Sequence, residues 1–111
     1  MEVIKMYPAE MDKKTKYRLM KSPESKKMSD VAGQIITLES WIMYNSDDYA
    51  TGEVHEVLAV QTTDGCIYAT ISSTFIREFK DIIEIFGDDI DEIKVIARES
   101  KAGRKYITCT V

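Results

Sequence analysis

The sequence predicts a mainly β fold: a five-stranded Greek-key barrel with one helix between the third and fourth strands and an arm at the N-terminus. Three observations lead there. Only one stretch of the second two-thirds of the chain has helical periodicity, Ser72 to Gly87. Short runs of alternating parity lie on both sides of it. Glycine-bearing turn sequences separate those runs, as expected for antiparallel strands.

In the helical stretch, Phe75, Ile76, Phe79, Ile82, Ile83 and Phe86 form one apolar stripe at period 3.6, with Arg77, Glu78, Lys80, Asp81 and Glu84 off it. Ser72, Ser73 or Thr74 suits the N-cap, and Gly87 the position just past the C-terminus. All three phenylalanines of the protein sit on this stripe, so the helix is expected to supply much of the core against a sheet.

Residues 1–32 lack a strong period and carry Pro8 and Pro23, and they read as a basic N-terminal arm, with two helical turns over Lys13 to Met20. Residues 33–111 read as the folded domain. Its first strand runs from Gln34 to Tyr44, with Ile36, Leu38 and Ile42 on one parity and Trp41 and Met43 on the other. A polar loop over 45–52 leads to a second strand, Glu53 to Thr62, with Val54, Leu58 and Val60 on one face. Thr63-Asp64-Gly65 is a hairpin signal. The third strand, Cys66 to Ile71, is expected to point Ile67, Ala69 and Ile71 inward and Tyr68 outward. After the helix, Asp88, Asp89, Asp91 and Glu92 form an acidic connector. A fourth strand, Ile93 to Arg98, and a fifth, Lys105 to Val111, flank a loop with Gly103. The order β-β-β-α-β-β is that of the OB-fold, a partly open Greek-key barrel.

The 111 residues suffice for one core. No apolar run approaches the ~20 residues of a membrane-spanning helix, and no basic segment followed by an apolar stretch opens the chain. Cys66 and Cys109 then read as reduced thiols of a cytoplasmic protein, with a disulfide between them the lesser alternative.

The chemistry of catalysis finds few residues to work with. His55, the one histidine, falls on the strand parity opposite Val54, Leu58 and Val60 and reads as solvent-facing, no nucleophile-elbow pattern is present, and no phosphate loop of the Gly-x-x-x-x-Gly-Lys type occurs. The cysteines lack metal-ligand spacing, and the acidic connector lacks the glycine and terminal Glu of a calcium loop. The chain is therefore expected not to be an enzyme and to need no cofactor or metal.

What remains is aromatic and basic. The parities place Trp41, Tyr68 and Tyr106 on the barrel's outside, where aromatics can stack unpaired bases. Lys94 and Arg98 share the outward parity of the fourth strand, and Lys101, Arg104 and Lys105 lie in or beside the last loop, a usual wall of an OB-fold ligand groove. Lys13, Lys14, Lys16 and Arg18 add a basic cluster in the arm. The net charge is −4, yet residues 1–33 hold eight Lys and Arg against five Asp and Glu, a net of +3 that leaves −7 for the rest. A basic stripe with an acidic opposite face fits that division.

Several phrases of the chain resemble a known family: Lys-Tyr-Arg-Leu-Met-Lys-Ser-Pro (16–23), Lys-Met-Ser-Asp-Val-Ala-Gly (27–33), Ile-Ser-Ser-Thr-Phe-Ile-Arg-Glu-Phe (71–79) and Ser-Lys-Ala-Gly-Arg-Lys-Tyr-Ile-Thr-Cys-Thr-Val (100–111). They are similar to small single-stranded DNA-binding proteins of bacteriophages infecting Gram-positive bacteria. The resemblance implies an OB-fold, no cofactor, and sequence-independent binding of single strands in phage DNA replication or recombination. It also implies self-association, with other replication proteins as further partners. The reading from another class is a phage-encoded module that binds a host or phage protein through its acidic surface or a sheet edge. RNA would fit the same groove.

Overall fold

The computed structural model describes residues 2–21, 24–47, 52–87 and 90–111. Pro23, Asp88, Asp89 and positions 48–51 of the expected polar loop lie outside them. The described residues form seven strands and two helices: β1 (Glu2–Tyr7), α1 (Lys13–Lys21), β2 (Lys26–Lys27), β3 (Ile35–Asp47), β4 (Val54–Thr62), β5 (Ile67–Thr70), α2 (Ser73–Phe86), β6 (Glu92–Glu99) and β7 (Lys105–Thr110). A short 3-10 turn, Met28–Val31, follows β2. The expected five strands correspond to β3 through β7, and the expected helix to α2 between β5 and β6. The two additional strands, β1 and β2, correct the expected count, and α1 stands where two helical turns were expected over Lys13 to Met20.

One curled sheet holds all the strands, in the order β2-β5-β4-β3-β6-β7, with β1 also paired to β3. All pairs are antiparallel except β2 with β5. β3 is the spine. Its N-terminal end pairs with β6 (Ile36 opposite Ile93), and its C-terminal half lies between β4 and β1 (Trp41 opposite both Val60 and Tyr7). The described residues of segment 1–32, read from sequence as an arm, thus supply an edge strand, a helix and a parallel two-residue pairing.

A β-bulge between Leu38 and Ser40 reshapes β3. An extra residue in one strand exchanges the faces of every side chain beyond it. Ile36 and Leu38 therefore share the main core with Trp41 and Met43, residues of the opposite parity. Ile42 and Tyr44 turn to the other face, into a second cluster with Leu19 of α1, Ala59 and Ile67. α1 covers that face, and the Tyr44 hydroxyl donates to the carbonyl of Met20 at 3.4 Å. Asp12 starts α1 by accepting from the Thr15 amide at 3.4 Å, and the Thr15 hydroxyl holds its carboxyl below the usual range.

α2 lies in the curl of the sheet. Phe75, Ile76, Phe79, Ile82 and Ile83 are buried along the stripe read from the sequence. The Ser72 hydroxyl accepts from the Phe75 amide at 3.3 Å, and Gly87, at φ 61°, donates its N–H to the Ile83 carbonyl. Phe86 departs from expectation at 42% exposed, beside Ile85 at 79%, because the last helical turn runs past the core. The β4–β5 turn closes as expected: Gly65, at φ 88°, donates to the Thr62 carbonyl at 2.9 Å.

Both cysteines are free thiols. Burial, with the charge of Glu78 behind it, pushes the Cys109 thiol up to about 12. Cys66 is only half-buried, with the Lys26 ammonium 3.9 Å from its sulfur. A thiol-specific reagent near neutral pH should therefore modify Cys66 in the native protein and spare Cys109 until denaturant is added. Equal labelling rates under native conditions would show that the α2–β7 interface is open.

Candidate nucleic-acid interface

The β6–β7 hairpin brings together most of the residues singled out in the sequence. Its loop is tied down by three hydrogen bonds: Ser100 N–H to the Arg104 carbonyl (2.8 Å), Gly103 N–H to the Ser100 carbonyl (2.9 Å) and Arg104 N–H to the Ser100 hydroxyl (3.1 Å). That fixed loop presents Lys101 and Arg104, both exposed, and hands on to exposed Lys105 at the start of β7. The register sets Arg98 opposite Tyr106 and Lys94 opposite Thr110. Directly opposed residues project from the same face, so Lys94, Arg98 and Tyr106 share the outer face of the hairpin. Tyr106 is half-buried and Lys94 and Arg98 are exposed.

Beside the loop end of this hairpin a groove of about 700 Å³ opens toward β5 and the 3-10 turn. Val57, Ala69 and Ile71 line one side, and Ala97, Ile107 and Tyr106 the other. Lys27 and Lys105 stand on its rim, and Lys26 is exposed one residue before Lys27. The lining is apolar with cations at the margin. That combination suits a ligand that carries flat apolar faces on an anionic backbone.

Two of the three aromatics expected outside are inside. Trp41 is 2% exposed, its ring 5.2 Å from Phe79 in an edge-to-face contact and 6.4 Å from Tyr7 in a stacked one. The bulge in β3 turned it inward. Tyr68 is 9% exposed and belongs to the main core, because it is opposite Val60 and faces where Val60 faces. Consequently Ile67, Ala69 and Ile71 point to the outer face. α1 covers Ile67 and Ala69 packs on the same cluster, while Ile71 is left 62% exposed.

The basic cluster of the arm is elsewhere. Lys13, Lys14, Lys16 and Arg18 lie on α1, over the β3–β4 part of the sheet, and none of them lines the groove. They share a layer with the groove through Val57 and Ala69, which pack against the cluster under α1. Sequence reasoning missed Lys27, Val57 and Ile71 as groove residues. An apolar residue directly before a helix cap, as Ile71 is, was the available signal for the last of these. Among the described residues, no group of three or more His, Cys, Asp or Glu is placed to hold a metal ion, and no helix is long and apolar enough to cross a membrane.

A family model described as Phage Single-stranded DNA-binding protein, of the phi29 type, matches residues 3–111. No curated protein and no solved structure matches the chain.

Proposed function

The chain belongs to the phi29-type phage single-stranded DNA-binding protein family, and from that premise we propose that it binds unpaired DNA without sequence preference during phage replication or recombination, in an OB-like groove beside the β6–β7 hairpin. The family is one of DNA-binding proteins, not of enzymes. The observation that carries the reading is the apolar groove of about 700 Å³ walled by Tyr106 and rimmed by Lys27 and Lys105. Tyr106 offers a stacking face that accepts any base, and the apolar floor of Val57, Ala69 and Ile71 accepts base rings only when they are unpaired. Lys94, Arg98, Lys101, Arg104 and Lys105 neutralise phosphates along the hairpin. Lys13, Lys14, Lys16 and Arg18 attract the strand at longer range from α1. Copies bound side by side on one strand would meet each other and other replication proteins there.

The test is a titration of labelled oligo-dT, oligo-U and duplex DNA at two salt concentrations. Tight binding of oligo-dT with weak duplex binding is expected. Equal affinity for duplex overturns the reading, and the absence of any nucleic-acid binding favours a protein-interaction module. The salt dependence locates the phosphates. Each contact removed should flatten the slope of log K against log salt by about 0.7 for a single strand, so the triple alanine variant of Lys101, Arg104 and Lys105 should lose about 2. An unaltered slope in that variant would move the backbone away from the hairpin loop.

A further inference from the structure

The groove does not stop at β5. Ile71 is its boundary with a second depression, of about 310 Å³, lined by Val54, His55, Glu56, Arg77 and Lys80. A third, of about 520 Å³, lies between α2 and the outer face of the hairpin, and it shares Tyr106 with the groove and Arg77 with the second depression. The three depressions are thus neighbours around the outward side of the first two turns of α2, whose inner side, with Phe75, Ile76 and Phe79, is buried. Ile71 and Val54, 62% and 61% exposed, border it as large apolar side chains open to solvent.

The charges in the second depression are specific. Arg77 is exposed. Lys80 is held by Glu56, whose two carboxylate oxygens lie 2.8 and 2.9 Å from its ammonium. The His55 ring stands 3.5 Å from Glu53 on the same strand end. A carboxylate chelating a lysine in this way occupies the place a phosphate would take. Both side chains are partly open to water, so the pair is weak and a phosphate can replace the carboxylate at little cost.

We propose that the bound strand continues from the Tyr106 groove over Ile71 into this second depression, where Arg77 takes a phosphate and Lys80 exchanges Glu56 for another. The inference rests on the reading of the groove as a single-strand site. Its occupant is the same DNA strand, because the two depressions meet at Ile71 and the second adds two cations directly beyond an apolar ridge. Ile71 supports a base at the turn, and Glu56 acts as a stand-in anion that keeps Lys80 oriented until the strand arrives.

The experiment compares affinities for short and long oligo-dT, about 4 and about 16 nucleotides, the limits of one such domain's usual site. The short strand fills only the groove, and the long one also reaches the second depression. Arg77→Ala and Lys80→Ala, both in the second depression and outside the lining of the groove, should weaken the long strand severalfold more than the short one. Glu56→Gln should tighten the long strand and leave its salt slope nearly unchanged, since Lys80 neutralises the same phosphate without a carboxylate to displace. Asp91→Asn removes the same charge from the exposed connector and should leave the length dependence as it is. A wild-type length dependence in both Arg77→Ala and Lys80→Ala overturns the extended path. Failure of the groove itself looks different: Tyr106→Ala would then bind both lengths as the wild type does.

Discussion

Phe79→Ala should lower the unfolding free energy by about 3–5 kcal/mol, the transfer and cavity cost of deleting a buried phenyl ring. Phe79 has no exposed surface, and its ring meets the indole of Trp41 edge to face. It sits mid-stripe on α2, with Ile76 one turn before and Ile82 and Ile83 one turn after. Domains of this size carry roughly 5–15 kcal/mol in total, so the loss is a large fraction. Urea denaturation followed by Trp41 emission reads it in two ways. The midpoint falls, and native emission shifts to the red as water reaches the indole. A wild-type midpoint would mean that α2 does not face the core.

Tyr106→Ala should weaken binding of oligo-dT by about 1–3 kcal/mol, the usual value of one base stacked on an aromatic ring. The loss should be similar for different base compositions, because every base has a π-face. Tyr106 is half-buried on the wall of the groove and absent from the core clusters, so stability should change by no more than about 0.5 kcal/mol. Tyr68→Ala should do the reverse, since Tyr68 packs with Val60 inside: the fold weakens, and any loss of binding follows the loss of folded protein. The pair of variants separates a stacking residue from a packing one. Trp41 adds a control. Buried against Phe79 and Tyr7, it should emit in the blue and ignore added oligo-dT, unlike an indole that stacks bases.

The strands after residue 33 and the helix were legible because each repeats its pattern long enough to be read. Five of the six stripe residues of α2 are where the period puts them, and the turn at Asp64-Gly65 follows from its own chemistry. Trp41 was misplaced because parity carries no information across a bulge, and nothing in Leu38-Glu39-Ser40 announces one. A signal did exist in the next four residues. Trp41-Ile42-Met43-Tyr44 is apolar on both parities, which in a strand means cover on both faces. The second cover is α1 with β1: the turns of α1 were legible but not their packing on β3, and β1 is too short to declare itself. Their order comes from tertiary contact with β3. The groove was half legible for the same reason. Its basic hairpin is contiguous in sequence, while Lys27, Val57 and Ile71 come together only in the curled sheet.

The double pairing of β3 has a consequence for how the protein is made. Its C-terminal half is an edge that β1 closes, and its outer face, with Ile42 and Tyr44, is an apolar surface that α1 closes. Bare strand edges and apolar sheet faces are where nascent chains join one another. Synthesis runs from the N-terminus, so β1 and α1 leave the ribosome before β3 and β4 do. The strand that must be sealed therefore emerges with its seal already waiting. In the reverse order, with the same contacts at the other end of the chain, the edge would stand open while the remainder was translated.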